Sequence, residues 1–144
     1  MIDTIRKDRM EKVKRLRELG FDPYPSDSLR THASSEVVKG FSEFSGKTVT
    51  VSGRLMSWRD FGKLIFARLR DESGDIQLML RKENLSELWS NRNLFDVGDF
   101  VDATGGVTKS NTGEVSVEVR DLRMLAKSIR PLPEKWVGLK DDDI

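Results

Sequence analysis

A change of hydrophobic period near Gly46 divides this chain in two. Upstream, Ile5, Met10, Val13, Leu16 and Leu19 fall on one stripe with Arg and Lys between them, and Gly20 supplies a stop. Downstream the period drops to two. Val49, Val51, Gly53 and Leu55 alternate with Thr50, Ser52 and Arg54. Ile65, Ala67 and Leu69 alternate with Leu64, Phe66, Arg68 and Arg70, and Ile76, Leu78 and Leu80 with Gln77 and Met79. One element cannot satisfy both periods. Residues 3–19 therefore predict an amphipathic helix, and the stretch from Gly46 onward predicts strands.

Turn and breaker residues order these elements. FDPYPSDS interrupts the helical part as a loop, and Thr31 to about Phe41 predicts a second short helix, capped by Thr31 or Ser34 and ended by Gly40. DESGD (71–75) joins the second strand to the third, and residues 83–92 suit a short helix. Phe100, Val101 and Ala103 open a fourth strand running into Gly105 and Gly106. After the KSNTGE turn, Val115, Val117 and Val119 mark a fifth. Three strands, a short helix and two strands is the order of the OB-fold, a small Greek-key barrel. The expectation is a mainly-β, five-stranded barrel over residues 46–126. A helical extension occupies 1–45, and a proline-punctuated linker, 127–144, leads toward an absent domain.

Composition removes several kinds of chemistry. There is no cysteine and a single histidine, His32, so disulfides, thiolate zinc, a multi-histidine metal site and a cysteine nucleophile are excluded. No apolar run reaches the ~18 residues of a membrane span. The opening MIDTIRKDRM lacks the apolar stretch of a secretory signal, so the expected location is cytoplasmic. Neither a GxxxxGK[ST] loop nor a GxSxG elbow occurs, and no carboxylate pair can be placed together. No catalytic residue, metal ligand or cofactor is expected within these residues. The formal net charge is only +1, with 25 basic and 24 acidic residues. Residues 1–20 carry +3 and residues 46–126 are neutral, so attraction to a polyanion must come from local clustering.

Alternation sorts the strand residues by face. With Val49, Val51, Ile65, Leu69, Ile76, Leu78 and Leu80 turned inward, the outward set is Arg54, Phe66, Arg68, Gln77 and Met79. Those residue types suit a splayed-out base. A ring stacks on any base, an amide donates and accepts at once, and arginines meet phosphates or base acceptors. Arg59 lies in the loop between the first two strands, and Glu114 in the loop between the last two, where OB-folds commonly grip ligands. The pattern leaves other readings open. Phe66 either stacks on a base or lies beneath the N-terminal helix, Gln77, Arg68 and Glu114 are also compatible with plain surface, and Trp58 and Phe61 either line the site or pack under its loop.

The segments GFDPYPSDSLRTHASSEV (20–37), SGRLMSWRDFGKLIFARLRDESGDIQL (52–78) and KSNTGEVSVEVRDLRMLAKSIRPLPEKWVGLKD (109–141) resemble class II lysyl-tRNA synthetases, in one collinear order over nearly the whole chain. The resemblance implies an anticodon-binding module for lysine tRNA. It implies that Phe66 stacks on the central uridine, that Gln77 hydrogen-bonds the same base, that Arg59 contacts the anticodon and that Glu114 reads a flanking base. Arg54 and Arg68 are added as possible tRNA contacts. ATP and magnesium are implied for the catalytic domain beyond Ile144, as is a dimer of the parent enzyme, with the piece alone expected to be monomeric. The nearest alternatives are the asparaginyl and aspartyl relatives, a general single-strand-binding OB protein, and a module whose outward face is covered by a protein partner.

Overall fold

Strand β1 (Thr48–Asp60) is long enough to serve two neighbours, and the barrel closes through it. Its first half pairs antiparallel with β4 (Phe100–Lys109), from Thr48 opposite Gly106 to Arg54 opposite Phe100. Its second half pairs antiparallel with β2 (Leu64–Asp71), from Arg54 opposite Arg70 to Asp60 opposite Ile65. The register shifts between Leu55 and Ser57, the kind of irregularity that bends a strand. Strand β3 (Gly74–Arg81) follows β2 through a tight hairpin, and β5 (Val115–Ala126) lies between β3 and β4. The closed order is β1-β2-β3-β5-β4. In this computed structural model the described residues are 2–18 and 28–128, with side chains in the first stretch described for 6–15 and 18. Leu19, Gly20 and the whole FDPYP segment, together with most of 127–144, lie outside them. Among the described residues no helix is long and apolar enough to cross a membrane.

The inward set is the one that alternation predicts. Val49, Val51, Leu55, Ile65, Leu69, Ile76, Leu78, Leu80, Val101 and Val117 are all essentially inaccessible to solvent. Two glycines let the sheet curl tightly. A Cβ on Gly53 would sit 2.3 Å from the Arg70 carbonyl oxygen, and one on Gly105 would sit 2.0 Å from that of Glu118. Both are closer than atoms can approach, so only the missing side chain permits these crossings.

The predicted helix at 83–92 is a broken one: a 3-10 turn at Lys82–Asn84, helix α4 (Ser86–Ser90), and a second turn at Arg92–Leu94. Helices α1 (Ile2–Glu18), α2 (Ser34–Lys39) and α3 (Phe41–Phe44) precede it in the chain. Leu85, Trp89, Leu94 and Phe95 from this connection join the barrel core. Trp58 packs there too, stacked on Phe95 with ring centroids 6.0 Å apart, which accounts for a tryptophan next to a binding loop.

The second predicted helix is split at Gly40 into α2 and α3, and its cap is neither Thr31 nor Ser34. The residue before α2 is Ala33, whose amide donates to Glu36 Oε1 at 3.2 Å. The β2–β3 hairpin does the rest: Asp71 Oδ2 accepts from the Ser34 amide (2.8 Å) and Ser73 Oγ accepts from the Ser35 amide (3.0 Å). Thr31 is used elsewhere, its Oγ1 accepting from the Thr50 amide (2.9 Å) beside β1. His32 is structural, its ring 4.7 Å from that of Phe44, edge to face.

A buried lysine closes the last strand. Lys127 has no exposed side-chain surface, and its Nζ donates to Asp96 (2.6 Å), Asp99 (2.8 Å) and the Leu94 carbonyl (2.8 Å). Burial pushes the Asp99 carboxyl above the usual aspartate range. Asp96 also receives Lys12 Nζ of α1 at 2.9 Å, and Arg9 of the same helix reaches Ser128.

Two outcomes follow for stability. Ile65→Ala removes a fully buried branched side chain and is expected to cost about 2–5 kcal/mol in urea unfolding. For Asp71, burial raises the carboxyl, but hydrogen bonds from Ser73 and Ser34 outweigh it and hold the group below the ordinary carboxylate range. A lowered value means stabilisation that is full above the ordinary aspartate pKa of about 3.9 and is lost as pH falls through the folded value. Asp71→Ala is therefore expected to cost about 1 kcal/mol at neutral pH, as the loss of a helix cap does. The difference in melting temperature from wild type should shrink as the pH is taken below that range.

Candidate nucleic-acid interface

The outer face of β2 and β3 brings most of the sequence-derived set together through backbone register alone. Arg59 stands opposite Phe66, Phe66 opposite Met79, and Arg68 opposite Gln77. Such directly opposed residues have Cβ atoms about 4.5–5.5 Å apart. On the far side of β3, Gln77 pairs with Ser116 of β5. Two adjacent rows therefore cross the sheet, one aromatic and cationic, one carrying the amide.

Phe66 is half-buried, and the described polar contacts of α1 go elsewhere, to Asp96 and Ser128. Its ring meets that of Phe61 edge to face, with centroids 6.0 Å apart. Phe61 is 64% exposed at the tip of the β1–β2 loop, so the two rings form an aromatic corner open to solvent. That loop is shaped by Asp60, which accepts from the Gly62 amide (2.8 Å) and from Arg92 Nε (3.0 Å). These bonds, the Gly62 amide first, hold the Asp60 carboxyl below its ordinary value. Arg59, one residue earlier, is exposed, and it belongs to the end of β1, paired with Phe66, not to the loop where the sequence placed it.

Met79 departs from the outward expectation. It keeps the outer-face register, between Phe66 and Glu118, yet is only 3% exposed. A flexible apolar thioether packed between these neighbours fills space, so Met79 is the floor of the patch and not a contact surface.

Polar bonds fix the remaining groups. Gln77 Nε2 donates to Ser116 Oγ at 3.0 Å, and that hydroxyl donates in turn to the Glu114 carbonyl oxygen at 3.0 Å. The Glu114 carboxylate accepts from Arg68 at 2.9 Å across the face, with Asp75 3.9 Å from the same arginine. Arg68 and Glu114 thus neutralise each other in the free domain, and a ligand that uses either must exchange into that pair.

Arg54 lies apart from this group. Its neighbours in register are Arg70 and Phe100, and its guanidinium sits 4.7 Å over the Phe100 ring. It lines a different cleft, with Arg30, Arg70, Asp71, Glu72 and Phe100. The register shift after Leu55 lies between it and the end of β1 that carries Arg59.

Two contributors were outside the sequence-derived set. Phe61 was legible only as one of two aromatics flanking Arg59. Ser116 was visible as a polar residue of the fifth strand, but its place beside Gln77 depends on a parallel pairing between non-consecutive strands, which alternation does not reveal.

A tRNA anticodon family described as an OB-fold nucleic acid binding domain matches residues 49–125. The chain belongs to this family. Among curated proteins it is similar to a lysine–tRNA ligase of Clostridium botulinum (strain Hall), 44% identical over 144 residues, which cover 99% of this chain and 29% of the relative. A lysine–tRNA ligase of Clostridium perfringens (strain 13) is 47% identical over 138 residues, 94% of this chain and 28% of the relative. That of Clostridium novyi is 45% identical over 140 residues, 96% of this chain and 28% of the relative. These relatives agree with the resemblance read from the motifs, and the chain spans under a third of their length.

As members of a half-exposed ion pair in this OB domain, Arg68 and Glu114 should contribute little to folding. A double-mutant cycle of Arg68→Ala and Glu114→Ala, read by urea denaturation, is expected to return a coupling of about 0.2–1 kcal/mol.

Proposed function

We propose that this domain reads the anticodon of lysine tRNA, as the non-catalytic module of a lysine–tRNA ligase used in protein synthesis in the cytoplasm. The observation that carries the reading is the single face on which Arg59, Phe61, Phe66 and Gln77 meet, with Glu114 at its edge. Each residue type has a distinct task there. The Phe66 ring offers a stacking platform for one unstacked base, and Phe61 walls it. Gln77 addresses the Watson–Crick edge of that base with an acceptor and an N–H. A uridine edge presents a central N–H beside a carbonyl, which suits that pair. Arg59 supplies positive charge for the backbone or a base acceptor. Glu114 carries only acceptors and so favours a base with N–H donors, once released from Arg68.

Ligation of lysine to tRNA, with its need for ATP and magnesium, is assigned by this reading to the rest of the ligase, as is its dimerisation. The domain contributes selection and leaves chemistry to its partner region. Arg54 and Arg68 are secondary tRNA contacts in this scheme, Arg68 through the exchange of its partner Glu114.

The test is a fluorescence titration with a lysine anticodon stem-loop and with a copy whose central uridine is cytidine. Preference for uridine is the expected result, and Phe66→Ala should weaken uridine binding by about 1–3 kcal/mol. Its urea midpoint should stay near wild type, because the ring lies outside the core. Equal affinity for both stem-loops would leave only a sequence-tolerant single-strand binder.

A further inference from the structure

Gln77 can present either of two edges to a base. Its carbonyl and NH2 are interchangeable by a half-turn, and the two orientations have opposite preferences. With one, the carbonyl oxygen meets a base N–H, as in uridine; with the other, an amide N–H meets a base nitrogen acceptor, as in cytidine. A reader whose amide turns freely would accommodate both. What holds this amide is therefore part of the discrimination, and the residue that holds it is not one that touches the ligand.

We infer that Ser116 is a specificity-determining positioning residue, which locks the Gln77 amide in the orientation that accepts from uridine. This rests on the anticodon reading above. Ser116 Oγ has one proton, and the geometry gives it to the Glu114 carbonyl oxygen at 3.0 Å. The hydroxyl can then only accept from Gln77, which it does from Nε2 at 3.0 Å. Turning the amide over would put its carbonyl against the hydroxyl oxygen, two acceptors face to face, unless the hydroxyl abandoned Glu114. Each bond in the relay thus constrains the next, from the β4–β5 loop through Ser116 to Gln77. Ser116 is also fully buried, at 0% exposure, so it has no surface with which to contact RNA itself. Its effect on recognition must pass through the amide. The position is supplied by the parallel pairing of β3 with β5, which sets Gln77 directly beside Ser116.

The experiment compares Ser116→Ala and Ser116→Thr with wild type in the two stem-loop titrations. In Ser116→Ala the amide has two orientations of similar energy. Uridine binding should fall by no more than about twofold, the factor set by a half-populated competent state. Cytidine binding should strengthen, so that the uridine-to-cytidine affinity ratio falls about fivefold, the size of one neutral hydrogen bond. Ser116→Thr keeps the hydroxyl and should restore the ratio. Urea midpoints of both variants separate this from loss of fold, since a merely structural role would weaken both ligands together. An undiminished ratio in a folded Ser116→Ala variant overturns the inference and leaves the anticodon reading standing. A wild-type domain that does not discriminate at all overturns both.

Discussion

Three parallel residue pairings, from Gln77 with Ser116 to Met79 with Glu118, turn a curled sheet into a closed barrel. An open sheet of this size would present two unpaired edges and an apolar face to water. Closure removes the edges and buries the inward residues of all five strands around one core. It also sets the start of β5 beside β3, so that Glu114, in the loop before β5, reaches Arg68 on the outer face. The Gln77–Ser116 pair on the proposed recognition face exists because the barrel is shut at that seam.

The strands were legible because their signal is local. A residue at position i of a half-buried strand announces its face through i+2, and Val49, Val51, Ile65, Leu69, Ile76 and Leu78 kept to that rule. The outward placement of Phe66, Arg68 and Gln77 follows from the same alternation. Positions that local patterning misread are those decided by distant partners. The amides of α2 are capped from the β2–β3 hairpin, so neither Thr31 nor Ser34 caps its start. Met79 has the right face but the wrong exposure, since exposure depends on neighbours across the sheet. Arg54 has the outward phase of its strand, but the register shift at Leu55 to Ser57 separates it from the patch. The family resemblance supplied roles for Phe66 and Gln77, whereas the relay behind Gln77 rests on the parallel pairing of β3 with β5, which alternation does not reveal.

The face is electrically modest, which suits a reader of bases more than a binder of backbone. Arg68 is matched by Glu114, Arg70 by Asp75 and Arg81 by Glu118. Cations held by carboxylates attract a polyanion weakly at long range, so affinity must come from stacking and hydrogen bonds formed at contact. Selectivity benefits from that balance, because phosphate attraction is indifferent to sequence.

Asp96 joins elements from the two extremes of the described chain. It receives Lys12 from the first helix and Lys127 from the end of the last strand. Loss of its carboxylate would release the helix and also strip the fully enclosed Lys127 ammonium of one of its two counter-charges. An enclosed cation short of compensation is costly enough to loosen what surrounds it. One carboxylate thereby ties the first helix and the end of β5 together, so its removal reaches both elements at once.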